Sequence, residues 1–252
     1  MRKKTYGKWI GGGLGWALGG PIGGILGFAF GSMFDGLQKG QYAHDPYDGA
    51  QTYSDSYQTQ EGDFSVSLLI LSAAVMKADN RVLKSELEYV KKFFVKQFGT
   101  ALATQNIQML KEILKQDINL IEVSRQIKRY MDYAAKLQLL HFLFGISKAD
   151  GQLHASEIDI IGQIARYLDI DREDYLSIKA MFVKDVDSTY QILDVKPTAT
   201  DVEIKKAYYK MASKYHPDKV AHLGDEIKKA AEEKLQKLNV AYDEIKKQRG
   251  IK

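Results

Sequence analysis

From Trp9 through Phe34 the chain runs for 26 residues without a charged side chain, and glycine recurs inside that run at 11, 15, 19, 23, 27 and 31. About 20 apolar residues suffice to cross a bilayer as one helix. Ten glycines in 26 residues make a poor helix in water. In lipid that objection lapses, because the backbone must hydrogen-bond internally. Residues 1–36 are therefore expected to form a glycine-rich transmembrane helix. It reads as a retained anchor, since Ser32-Met33-Phe34-Asp35 offers no small-x-small cleavage site. The stripe Gly11, Gly15, Gly19, Gly23, Gly27 and Gly31 forms a groove into which another helix could settle, which predicts a homodimer through the membrane segment. Pro21 interrupts the middle, so a kinked span and a re-entrant hairpin remain alternatives.

Orientation is contested within the sequence. Arg2, Lys3, Lys4 and Lys8 precede the apolar run, whereas Lys39 after it stands among Asp35, Asp45, Asp48 and Asp55. The positive-inside rule keeps such an N-terminus in the cytoplasm, which for a single span exports everything downstream. Residues 37–62 mix Gln, Ser, Asp, Gly and Tyr without apolar periodicity and read as a flexible linker.

Beyond the linker, residues 63–185 carry an all-helical pattern. Phe64, Leu68, Leu71 and Val75, then Leu87, Val90 and Phe94, then Ile107, Leu110 and Leu114, and later Leu137, Leu140 and Phe144 recur every three or four residues. This predicts a bundle of about seven helices, with Met109, Met131 and Phe142 in its core. Within it Lys77 to Glu86 aligns without gaps onto Lys148 to Glu157, 71 positions later. Each copy reads as a helix end, a turn at Asp-Asn or Asp-Gly, and a helix start, which makes the acidic residues turn and cap carboxylates.

The C-terminal region, residues 186–252, changes character. Thr189 to Leu193 is a short helix, Pro197 marks a turn, and Thr200-Asp201-Val202-Glu203 has the spacing of a capping box. On the helix that follows, Ile204, Tyr208, Met211 and Tyr215 share one face and Lys206, Lys210 and Lys214 the opposite one. His216-Pro217-Asp218 comes next. Ala231, Leu235, Leu238, Ala241, Tyr242 and Ile245 then outline a third helix, so the tripeptide sits at the tip of a helical hairpin. Pro217 stiffens the turn, Asp218 offers a carboxylate to a partner arginine, and the lysine stripe steers an acidic surface.

Composition narrows the remaining classes. The absence of cysteine excludes disulfides, thiolate metal sites and cysteine nucleophiles. A net charge of +4 gives no argument for nucleic acid. No nucleophile or oxyanion donor can be placed beside His216 and Asp218, which argues against an enzyme.

Two resemblances rest on these motifs. The repeated Lys-Ala-Asp turn in its helical setting resembles the TerB-like tellurite-resistance domain, which brings with it a divalent cation near Asp79, Glu86, Asp150 and Glu157. Each loop, however, offers only one Asp and one Glu. No other cofactor is expected. The C-terminal unit resembles a J-domain through Tyr190-x-x-Leu193, Ile204-Lys205-Lys206-Ala207-Tyr208, His216-Pro217-Asp218 and Ala241-Tyr242. It departs at Asp194, where glycine is usual, at Tyr209, often Arg, and at Leu235, often Phe. The order of anchor, TerB-like domain and J-domain resembles the DjlA family of membrane-anchored co-chaperones. That resemblance implies docking on a DnaK-type ATPase through His216, Pro217, Asp218, Lys205, Lys206, Lys210, Lys214 and Lys219. It also implies a single-pass place in the inner membrane with the J-domain in the cytoplasm, against the charge count. A re-entrant hairpin at Pro21 would reconcile the two. The alternative is a membrane stress scaffold or cation sensor acting through the TerB-like domain.

Overall fold

The computed structural model describes residues 7–37, 61–79, 81–183 and 188–251. Most of the expected linker and Asn80 of the first repeat lie outside them. Every element among the described residues is helical, as the periodicity predicts. In chain order they are α1 (Gly7–Leu37), α2 (Glu61–Met76), α3 (Lys84–Ile113), α4 (Leu120–Tyr130), α5 (Tyr133–Ser147), α6 (Ala155–Tyr167) and α7 (Arg172–Ala180). Next come α8 (Ser188–Ile192), α9 (Asp201–Lys214), a 3-10 segment η1 (Pro217–Leu223) and α10 (Asp225–Arg249).

The apolar N-terminal segment is not one straight rod. Gly20 adopts φ 62°, ψ −152°, a conformation open essentially only to glycine, and Pro21 follows it. The helix therefore folds back on itself. A Cβ on Gly15 would lie 2.0 Å from the Gly23 carbonyl oxygen, and one on Gly23 would lie 2.3 Å from that of Gly15. The middle of the glycine stripe is thus used for close approach of the two arms of α1 to each other. Gly11 lies in the first arm and Gly31, half-buried, in the second. The corner is held from outside the hairpin. The Gln126 carboxamide donates to the Gly19 carbonyl at 2.7 Å and accepts the Ile22 N–H at 3.0 Å, and Gln116 donates to the Ile25 carbonyl at 3.2 Å. Ile25, Leu26 and Ala29 consequently join the core of the bundle. The arms are about 13 and 17 residues, roughly 20 and 25 Å at the helical rise, below the roughly 30 Å of a hydrocarbon core. Among the described residues no helix is long and apolar enough to cross a membrane.

Helices α2 to α7 form the bundle around α5. From Ala135 to Ser147 every residue of α5 is buried, which is how a helix apolar nearly all round must sit. Phe64, Leu68, Leu71, Val75, Leu140 and Phe144 are each at most 1% exposed, and each contributes roughly 1.5–3 kcal/mol by leaving water. Helix α3 is broken at Gly99 (φ 78°), which yields the seven helical pieces expected between Phe64 and Lys184.

The internal repeat is a structural duplication. The Lys77 ammonium donates to the Gln116 carbonyl beyond α3, and the aligned Lys148 ammonium donates to the Phe182 carbonyl beyond α7. Asp79 and Asp150 each accept the amide two residues on, from Arg81 and Gln152 at 2.8 and 2.9 Å. Glu86 and Glu157 accept the amides of Leu83 and His154, three residues back, at 2.7 and 3.0 Å. All four acidic residues thus act as turn and helix-start acceptors.

Candidate functional site

The C-terminal hairpin is built as the capping box predicts. Thr200 Oγ1 accepts the Glu203 N–H at 3.3 Å, and Glu203 Oε2 accepts the Thr200 N–H at 2.7 Å. Ile204, Met211 and Tyr215 are buried on the inner face of α9 against Ile227, Ala231, Leu238, Ala241 and Ile245 of α10. Tyr208 stacks on Tyr242 with centroids 4.2 Å apart and rings 11° from parallel, and its hydroxyl meets Asn239 Oδ1 at 3.1 Å. Arg249, at the end of α10, reaches back to the Pro197 and Ala199 carbonyls and to Asp201. Asp194 stands at φ 56°. That left-handed conformation explains why glycine suits this position and why a short polar residue is its tolerable replacement.

At the tip, His216 is the N-cap of η1, and its Nδ1 accepts the Asp218 N–H at 3.2 Å. This leaves the ring's Nε2 side free to face outward. Pro217 is buried at the first position of η1, where its missing N–H costs nothing. His216 and Asp218 remain largely exposed, with side chains 52% and 76% accessible. The tip is therefore a rigid turn that presents an imidazole and a carboxylate. Beside it lies a groove of about 570 Å³ lined by Tyr208, Tyr209, Ala212, His216, Leu235 and Asn239. Lys205, Lys206, Lys210 and Lys219 are exposed around this face.

Lys214, the last lysine of the stripe, is placed differently. Its ammonium lies 2.8 and 2.7 Å from the two carboxylate oxygens of Asp174 in α7. Asp174 is itself 1% exposed, and the Tyr133 hydroxyl donates to it at 2.5 Å. Burial and the Asp174 charge drive the Tyr133 hydroxyl's pKa upward. Sequence reading misses Asp174, because nothing in the pattern of α7 pairs it with a residue 40 positions away.

Glu86 and Glu157 meet across the bundle. Burial, above all, raises the pKa of both, and Glu86 is pushed to about 7, with the neighbouring Glu157 carboxyl adding to the shift. Each carboxyl also accepts its own helix-start amide. Asp79 and Asp150 are engaged with their own turns, and the described residues contain no group of three or more acidic or histidine side chains arranged for a metal. The four acidic residues expected from the TerB resemblance are thus engaged as turn and helix-start acceptors.

Three family models match the chain. Residues 1–49 match the co-chaperone DjlA transmembrane domain, residues 65–180 the tellurite resistance protein TerB, and residues 188–250 the DnaJ domain. The chain is DjlA-like: it carries the anchor, TerB and DnaJ domains in that order. It is 27% identical to the co-chaperone protein DjlA of Coxiella burnetii over 80% of this chain and 83% of the relative. It is 26% identical to that of Photobacterium profundum over 87% and 90%. The hairpin alone is 51% identical to the chaperone protein DnaJ of Fusobacterium nucleatum over 21% of this chain and 14% of the relative. No solved structure matches. This DjlA-type chain is therefore a J-domain co-chaperone with a TerB domain, and its N-terminal segment belongs to a membrane-anchor family.

Proposed function

We propose that the chain stimulates ATP hydrolysis by a DnaK-type chaperone and recruits it to the inner membrane, without catalysing a reaction of its own. The observation that carries this is the tip. His216 and Asp218 stand exposed on a turn fixed by the buried Pro217, at the end of a face bearing Lys205, Lys206, Lys210 and Lys219. Such a surface suits an acidic partner that supplies an arginine to Asp218. The partner's need for ATP puts the J-domain in the cytoplasm. The homodimer expected from the glycine stripe requires α1 to straighten, because in the bent form Gly15 and Gly23 face each other. Single-turnover ATP hydrolysis by the host's DnaK-type chaperone tests the proposal. Full chain in liposomes should accelerate it and Asp218→Asn should not, whereas equal acceleration by both would refute the reading.

A further inference from the structure

The hairpin does not hang free of the bundle. The Gln97 carboxamide of α3 donates to the Leu223 carbonyl at 3.3 Å and accepts the Glu226 N–H at 2.9 Å, joining the end of η1 to the start of α10. His222 faces Asp132 at 3.7 Å. The Tyr215 hydroxyl donates to Ser177 Oγ at 3.2 Å, and that hydroxyl in turn donates to the Ile192 carbonyl at 2.7 Å. Lys214 and Asp174 make the buried charged contact of this seam, and Lys96 and Glu226 an exposed one at 3.9 Å.

The seam buries cations among apolar contacts that run from the bundle core into the hairpin. Lys234 of α10 is 2% exposed with its ammonium 4.6 Å from the centre of the Tyr215 ring, and Lys237 packs 4.0 Å from the centre of the Phe182 ring. His141 of α5, which feels both lysines, is buried with Nε2 lacking a hydrogen-bond partner. Asp174 compensates Lys214 directly and Lys234 at longer range, while Glu233 compensates Lys237. A buried ion pair such as Lys214 with Asp174 gives little net attraction, yet removing its carboxylate leaves an uncompensated cation and is strongly unfavourable.

We infer that the TerB-like bundle competes with the chaperone partner for the J-domain, with Asp174 occupying Lys214 until the seam opens. This rests on the reading of the hairpin as a DnaK-type partner's docking surface. With the seam closed the tip is presented but the end of the basic stripe is withheld. A partner that engages Lys214 favours the open state, and by reciprocity whatever opens the seam strengthens partner binding.

The chain has no cysteine, so two engineered ones report on the seam without interference. Spin labels at Glu122→Cys on α4 and Asp243→Cys on α10, both exposed, give the bundle-to-hairpin distance in the full chain in liposomes. The expected result is one narrow distance in the parent, and a longer, broader distribution in Asp174→Asn and on adding the ATP-loaded DnaK-type chaperone. Asp174→Asn should also lower the concentration giving half-maximal ATPase stimulation by about fivefold or more. Lys214→Gln breaks the same contact from the hairpin side and replaces Asp174→Asn in the distance measurement if that variant does not melt cooperatively. An unchanged narrow distance in a folded variant, or a parent distance already as broad as the variant's, overturns the inference. Stimulation that survives His216→Gln would refute the docking reading instead, while the label distances judge the seam independently.

Discussion

Glu86 and Glu157, 71 positions apart and equivalent in the internal repeat, come together at the meeting of two helix starts, where burial and the neighbouring carboxyl push Glu86 up to about 7. Each keeps its helix-start amide as well. The pair holds a proton that two exposed glutamates would have lost well below neutrality, because desolvation and the neighbouring carboxyl both disfavour a second charge.

That proton makes stability depend on pH. Glu86 titrates at about 7 in the fold against 4.5 for an unperturbed glutamate, so between these values the native state binds more protons than the unfolded one. Stability is fully present below the lower value and falls as pH rises through the upper one. Glu86→Gln stays neutral throughout. Thermal melts from pH 5 to pH 7 should show the variant losing less Tm than the wild type, because only the buried Glu157 is left to titrate above its ordinary range, and parallel curves would contradict the shared proton.

Lys234 acts in the next window with the opposite sign. Burial lowers its pKa from 10.5 to about 7, so above pH 7 the unfolded state binds more protons and stability rises towards pH 10. Lys234→Met removes the buried amine at similar volume. It should raise Tm by several degrees at pH 7 and by progressively less as pH approaches 10, as followed by circular dichroism. A gain independent of pH would assign the effect to packing.

Asp194 holds a left-handed conformation with a Cβ present, at φ 56°. Asp194→Gly should stabilise the hairpin by about 0.5–1 kcal/mol, read from denaturant melts. Asp194→Val should destabilise it by more than that, because a branched Cβ fits this region worst.

The bend at Gly20 makes a topological prediction. With the two arms of α1 folded together, cysteines replacing Lys8 and Asp35 should react with a membrane-impermeant maleimide from the same side of the membrane. Gly15→Leu, which cannot sit against Gly23, should weaken that agreement. Labelling from opposite sides in the parent would mean that the segment straightens into a span.

Most of the fold is legible because it is written locally. Three-to-four-residue apolar spacing marks α2, α3 and α5, Thr200 and Glu203 announce the start of α9, and the repeated Lys-Ala-Asp turn announces the duplication. What escapes is set by distant contacts. Lys214 has the same stripe spacing as Lys206 and Lys210, and only the fold brings Asp174 to it. Lys234 carries no signal in the sequence, yet it lies at 2% exposure beneath the seam. In α1 the Gly20-Pro21 pair signals a break, but its sharpness depends on Gly20 taking positive φ and on Gln126 holding the corner. The exposed tip needs only neighbours in sequence, which is why His216, Pro217 and Asp218 could be placed before the fold was known.

The most direct measurement is the rate of a single turnover of ATP on the host's DnaK-type chaperone, titrated with full chain in liposomes, wild type against His216→Gln. The account predicts a saturable acceleration by the wild type that the variant abolishes, although both melt at the same temperature. Equal acceleration by the two proteins, or none by either, would contradict it.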